Sequence, residues 1–323
     1  MNSIPILWVE LGRRLPRHLK NNIQFHGSSF PHIQQFLITD QRIPKKLSSF
    51  CKFINSRDLV GLEIDDLLER RINRNTRQAS FWINTTKRFF IIQEFMNTMK
   101  IENLIHLESD CLLLRPDLVF EHFRKDKWTL AYPFQASNIG CASILLVKGV
   151  DGITNFNNFV IEKWSEKNQD DMKLLGEFAS NNEVMKLSSI PETKEVYDPQ
   201  IYGRYLLGTD ARNVRFPFSR RGVLDIRAGA VNPADFTYRW NKNSCNLYIS
   251  SSSKDSCLVN LHIHSKRVPK DWKRLSKLVS RDIGKIGSKK WERGQFDFQI
   301  FIERSFSWFA RNILKKNIDF RIR

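Results

Sequence analysis

Apolar residues in this chain come in two spacings, short unbroken runs and helical stripes, and over the N-terminal half the two alternate. Ile4 to Leu11 (IPILWVEL) reads as a first strand ending at Gly12, and Pro16 opens a helix over RHLKNNIQF. Gln35 to Thr39 reads as a second strand with Asp40 at its C-terminal edge; a helix is expected after Pro44 and a third short strand over Leu59 to Ile64. Phe81 to Met99 has the spacing of a long amphipathic helix. The next run, NLIHLESDCLLL, reads as one buried strand interrupted by acids and stopped by Arg115-Pro116-Asp117.

Further on, Trp128 to Tyr132 and Ala142 to Val147 read as strands, the second introduced by the turn-like SNIGC. Residues 151–166 and 170–181 are helical candidates, and Leu258 to His264 is a late strand. Residues 210–256 show weak periodicity and receive no assignment. No internal repeat is present. Strands alternating with helices predict an α/β sheet.

Composition adds a core and a charge anomaly. With 41% hydrophobic and 12% aromatic residues in 323, the chain can bury a substantial interior. No run of about 18 uncharged apolar residues occurs, which argues against a spanning helix. The apolar stretch at the start is too short for a signal peptide and its basic residues follow it, so a cytoplasmic protein is expected. Five cysteines (51, 111, 141, 245, 257) lack CxxC or zinc-like spacing and read as reduced thiols. The net charge is +18, and Ser265 to Arg323 alone holds 17 Lys/Arg against 6 Asp/Glu, a net of +11. Such a segment suits an anionic membrane surface, nucleic acid or an acidic substrate, or simply a solubilising face.

Three groups of residues carry chemistry. Glu108-Ser109-Asp110 ends an apolar strand, where ligands of open α/β sheets gather. Two carboxylates one residue apart bind a hard cation such as Mn²⁺ or Mg²⁺, or a ribose hydroxyl; the alternative is a solvated strand end. His262 and His264 share one strand face, and Lys266 follows them. A neutral imidazole ligates Mn²⁺ and a lysine neutralises a diphosphate. In QDDMKLLGEFA, Asp170 and Asp171 precede an apolar helical run and either cap it or face a cleft.

The order of these pieces resembles GT-A glycosyltransferases, particularly glycogenin-like and bacterial lipopolysaccharide galactosyltransferase-like enzymes. A basic helix with Lys87 and Arg88 runs into the strand ending in ESD, then come SNIGCASILLV, the acidic helix start and HIHSK. The resemblance spans about residues 4–270, with Glu108 where an aspartate is commonest and a shortened His-to-Lys spacing. It implies a Rossmann-like catalytic domain over 1–270, with a basic, partly amphipathic helical extension over 271–323. It further implies that Asp110 ligates the metal and Glu108 shares it or holds the ribose. Arg88 would contact the nucleotide or phosphate, Lys266 the diphosphate and Asp40 the base, while a late histidine, His262 or His264, completes the metal site. Asp171 would be a general base or an acceptor-orienting group, with Asp198 and Asp210 in the Tyr-, Gly- and Asp-rich segment 196–212 as secondary candidates.

The expected activity is metal-dependent transfer of a sugar from a nucleoside diphosphate sugar, a UDP-sugar favoured, to a glycan or lipid-linked acceptor. In FDFQIFIERSFSWFARNILKK, Phe298, Phe301, Ile302, Phe309 and Ile313 lie near one helical face with Arg304, Arg311, Lys315 and Lys316 largely off it. That stripe packs on the domain or lies in a membrane interface, which adds peripheral membrane association to the expectation. Two other classes compete. A nucleic-acid-binding protein would use the charge, yet no recognised binding signature is present. A nucleotidyltransferase acting on sugar phosphates would share the metal chemistry, yet no convincing Gly-rich phosphate loop lies near the N-terminus.

Overall fold

The computed structural model describes residues 4–286, except 13, 60–63, 65, 69–78, 126, 165–169, 209–232, 234–235, 242–243 and 252–253. Asp210 and the aromatic stripe of residues 296–316 lie outside the described residues. The fold is the mixed α/β sheet flanked by helices that the sequence predicts.

Strands β1 (Ile6–Glu10), β2 (Gln35–Thr39), β3 (Lys52–Asn55) and β4 (Asn103–Leu107) run parallel, in spatial order β3-β2-β1-β4. Helix α1 (Arg17–Ser29) follows β1, and α2 (Ala79–Met99) precedes β4. Beyond β4 the sheet continues through β8 (Ile144–Lys148), antiparallel to it, then β6 (Leu130–Ala136) and β7 (Ile139–Gly140); β9 (Met185–Leu187) also pairs β6. Strand alternation sorts the side chains into two layers. Ile6, Trp8 and Leu37 pack with Leu19 and Ile23 of α1, while Leu7, Phe36 and Ile38 pack with Phe89, Ile92 and Phe95 of α2. Both faces are covered, so these strands read as continuous apolar runs.

Four departures from the sequence reading have local causes. A single 3-10 turn, Lys45–Leu47, replaces the helix expected after Pro44. A strand not expected from the sequence, Lys52–Asn55, is half-exposed at the sheet edge and lacks the apolar run that marks buried ones, while residues 60–63 of the strand expected over Leu59 to Ile64 lie outside the described residues. NLIHLESDCLLL is two strands, because the acids form a turn closed by Cys111 N–H to Glu108 O (3.0 Å). After it, β5 (Cys111–Leu113) leaves the main sheet. The late run likewise divides, into β13 (Asp255–Leu258) and β14 (Asn260–His262).

A smaller sheet occupies part of the unassigned region: β10 (Glu195–Val196), β13, β12 (Asn246–Ser250) and β11 (Thr237–Asn241), in that order. Strand β14 pairs antiparallel with β5 instead, placing His262 opposite Cys111. Helix α7 (Trp272–Ile286) buries Leu275 and Val279 with Leu247 and Ile249 of the smaller sheet. The start of the basic C-terminal segment is therefore part of the packed body. A second 3-10 turn, Ser56–Asp58, follows β3, and the remaining helices are α3 (Pro116–Lys125), α4 (Asp151–Lys163), α5 (Asp171–Asn181) and α6 (Tyr202–Leu207). None of the five cysteines is in a disulfide, and four of them are buried.

Candidate metal and substrate site

The site lies where β1 and β4 end and the β5–β14 ribbon begins. Asn22 of α1 pins the acidic turn from below, its Nδ2 donating to the carbonyls of Ser109 (3.1 Å) and Cys111 (2.9 Å). Ser109 Oγ lies 3.1 Å from His18 Nε2. Beside the ribbon's other strand, Asp198, in the segment between β10 and α6, is fully buried and accepts main-chain N–H bonds from Tyr202 (3.0 Å), Gly203 (2.8 Å) and His262 (2.9 Å). Its carboxylate thus fixes the start of α6 and the backbone of His262 together. Gly203 is needed for that approach, since a Cβ there would lie 2.0 Å from the His262 carbonyl oxygen.

Glu108, Asp110 and His262 converge, offering three ligand atoms within 4.8 Å of one another. His262 Nε2 is 3.0 Å from Asp110 Oδ2 and 3.6 Å from Glu108 Oε2. Lys266 Nζ also reaches Asp110 Oδ2, from a left-handed backbone at φ 59°. Burial alone would push both carboxyls up, but His262 and Lys266 outweigh it at Asp110 and hold that carboxyl well below its usual range. Glu108 is lowered too, where Arg88 and His262 outweigh burial. His262 is raised well above an ordinary histidine, because Asp110 overcomes the penalty of burying its charge. Two carboxylates and an imidazole are an apt donor set for Mn²⁺ or Mg²⁺. The proton on His262 and the Lys266 ammonium neutralise the same oxygens that such a cation would, so the residues fit the ion.

Arg88, on α2, is buried with its two terminal nitrogens engaged: Nη1 donates to Glu108 (2.7 Å) and Nη2 to Asp171 (2.5 Å). The guanidinium therefore bridges the acidic turn to the first turn of α5. Asp170 caps that helix, accepting from Met172 N–H at 3.0 Å, which leaves Asp171 for Arg88. Burial pushes Asp171 up to about 6, with Arg88 opposing. His264 is buried 6.4 Å ring to ring from His262 and stands outside the three-residue cluster. Its pKa falls to about 3 through burial and the neighbouring Arg204, His262 and Lys266 charges. Asp40 is exposed at the end of β2, accepting from Gly12 N–H (3.3 Å) and from Gln41.

Glu10, the last residue of β1, escaped the sequence reading. It sits against Ser109 with Lys266, Asp110 and Arg88 nearby, and burial raises it to about 7. The signal was available, since an acid closing an apolar strand is the feature that singled out Glu108 and Asp110.

No family model matches the chain, and no curated protein matches it in sequence. Solved structures similar to it include mouse xyloside xylosyltransferase 1, apo form: 10% identical over 58% of this chain and 86% of that one, TM-score 0.40. Galactosyltransferase LgtC in complex with donor and acceptor sugar analogs is 15% identical over 58% and 74%, TM-score 0.39. A cytidylyltransferase from Leptospira borgpetersenii is 11% identical over 54% and 74%, TM-score 0.32.

Proposed function

We propose that the chain is a metal-dependent glycosyltransferase that moves a sugar from a nucleoside diphosphate sugar, a UDP-sugar favoured, to a glycan or lipid-linked acceptor. The observation that carries this reading is the convergence of Glu108, Asp110 and His262, with Lys266 beside them, at the carboxyl edge of the parallel strands. Asp110 and His262 would hold Mn²⁺ or Mg²⁺, and Glu108 would share it or take a ribose hydroxyl. A bound divalent ion supplies positive charge to a leaving diphosphate. Lys266 adds a second cation for the same oxygens, released from Asp110 to do so. Arg88 fixes Glu108 and Asp171 through its terminal nitrogens, which leaves its remaining N–H groups, Nε among them, as donors for the nucleotide or phosphate.

Asp171 faces the site as the partner of Arg88, and its raised pKa leaves it an acceptor that can orient a sugar hydroxyl or take a proton. Asp40 lies at the same sheet edge, in reach of a base. Asp198 serves the reaction by holding His262, since its oxygens are engaged by main-chain donors. The expected site of action is the cytoplasmic face of a membrane, where the basic C-terminal segment meets anionic lipid; among the described residues no helix is long and apolar enough to cross one. Nucleotidyl transfer to a sugar phosphate uses the same kind of metal site and is the competing chemistry.

Thermal-shift screening with UDP-, GDP- and CDP-sugars, each with and without Mn²⁺, tests the reading. A glycosyltransferase is stabilised by one nucleotide sugar in a Mn²⁺-dependent way and releases its nucleoside diphosphate. Stabilisation by a nucleoside triphosphate with a sugar phosphate, releasing pyrophosphate, would overturn it in favour of nucleotidyl transfer.

A further inference from the structure

Gln200 has no part in the site as described, yet its geometry is unusual in two ways. Its φ is 90°, in the left-handed region that residues with a Cβ rarely adopt and that is retained mainly where the surroundings enforce it. Its side-chain Oε1 accepts from Arg204 Nη2 at 3.2 Å, and arginine offers only donors, so this contact fixes which end of the amide is oxygen. The NH₂ end points the other way and meets two sulfurs, Cys141 Sγ at 3.7 Å and Met172 Sδ at 3.6 Å. Thiol and thioether are weak acceptors. A strained residue is thus holding a strong donor against partners that satisfy it poorly.

The neighbours indicate what would satisfy it. Cys141 interacts with the His262 imidazole, and Met172 follows Asp171, the partner of Arg88. Asp198, two residues before Gln200, holds the His262 main chain. The amide is therefore beside the carboxylate–histidine cluster, on the side of α5. Acceptors (Glu108, Asp171), donors (Arg88, Gln200) and the apolar Met172 occur together there. A pyranose presents the matching mixture of hydroxyls and apolar ring face, and a site built to hydrogen-bond a hydroxyl discriminates strongly among sugars. Resting on the glycosyltransferase reading, we propose that Gln200 is a sugar-contacting, specificity-determining residue. Its Nε2–H donates to a hydroxyl oxygen of the donor's hexose in place of the two sulfurs.

The experiment is calorimetric titration of the full chain with Mn²⁺ and a panel of UDP-, GDP- and CDP-hexoses, each compared with its free nucleotide. For the hexose that binds best, Gln200→Leu should lower affinity by about 10-fold or more while free-nucleotide affinity stays within about 2-fold. Gln200→Gly, whose backbone accepts a φ of 90°, should show the same loss with an undiminished Tm, which separates lost contact from lost folding. Unchanged hexose affinity in both variants overturns the inference. So does parallel loss of free-nucleotide affinity, which would assign Gln200 to the nucleotide or the fold. A wild-type chain that binds no nucleotide with Mn²⁺ instead sinks the glycosyltransferase reading on which the inference rests.

Discussion

Asp110 has two cations on one buried oxygen, and Asp198 has three main-chain donors on two. The two aspartates should therefore fail differently. Asp110→Asn should lower Mn²⁺-dependent nucleotide affinity at least about 100-fold, because a direct ligand matters more than the outer contacts that cost 10- to 100-fold. Its folding should change little, as the same substitution also releases the proton held on His262. Equilibrium binding with and without Mn²⁺ checks this, and an unchanged Mn²⁺ dependence would remove the acidic turn from the site. Asp198→Asn should instead destabilise the fold by about 3 kcal/mol, since an amide NH₂ is set against N–H groups in a buried position. Urea unfolding measures it, and full stability with lost turnover would make Asp198 a reacting group. These roles were unequally legible. Acids closing a strand and histidines two apart are local patterns, and both led to the cluster. Which histidine enters it depends on the pairing of β14 with β5, and Gln200 depends on backbone conformation, neither of which a local pattern encodes.

At the level of elements, buried runs were readable and the pairings between them were not. β1, β2, β4 and α2 announce themselves by unbroken or helically spaced apolar residues. The half-exposed edge strand β3 and the split of β4 from β5 do not, because a turn inside an apolar run leaves the composition unchanged. Helix α1 is tied to β5 by a neutral histidine: His26 Nε2 accepts from Leu113 N–H (3.0 Å), and Nδ1 donates to the Asn22 carbonyl (2.9 Å). Burial lowers His26 from 6.5 to about 4. Above 6.5 the unfolded chain is also neutral, and the contribution is fully present. As pH falls toward 4 only the unfolded chain gains the proton, so stability is lost over that window. Between pH 7 and pH 5 the loss from His26 should be about 2 kcal/mol. Urea unfolding of His26→Gln at both pH values should show a slope smaller by that amount; an identical slope would refute the assignment. Gly203→Ala should separate α6 from β14 and displace His262, lowering both Tm and Mn²⁺ affinity, since overpacking costs about 1–3 kcal/mol. A variant that keeps both would show that the ribbon tolerates the shift.

For the molecule as a whole, the charge of +18 and the placement of the cluster lead to two expectations. If the C-terminal segment meets anionic lipid, each cation near the surface contributes about 1 kcal/mol, weakened over a Debye length of about 8 Å at physiological ionic strength. Cosedimentation with phosphatidylserine vesicles should fall with added salt, and removal of residues 291–323 should abolish what remains while nucleotide binding persists. No cosedimentation at low salt would refute membrane association. The second expectation follows from the β5–β14 ribbon, which joins Asp110 to His262 across 152 positions of sequence. A ribosome making this chain finishes both carboxylates long before it supplies either counter-cation. Until His262 and Lys266 emerge, burying Asp110 leaves its charge without these two partners, which favours a solvated acidic turn until then. Closing so long a loop costs entropy. An ion gripped from both ends would therefore act as a clasp, and at about 100 times its Kd it would add about 2.7 kcal/mol to stability. Mn²⁺ should thus slow proteolysis of the native chain and EDTA should restore it, most visibly at cleavage sites flanking the ribbon rather than across the central sheet.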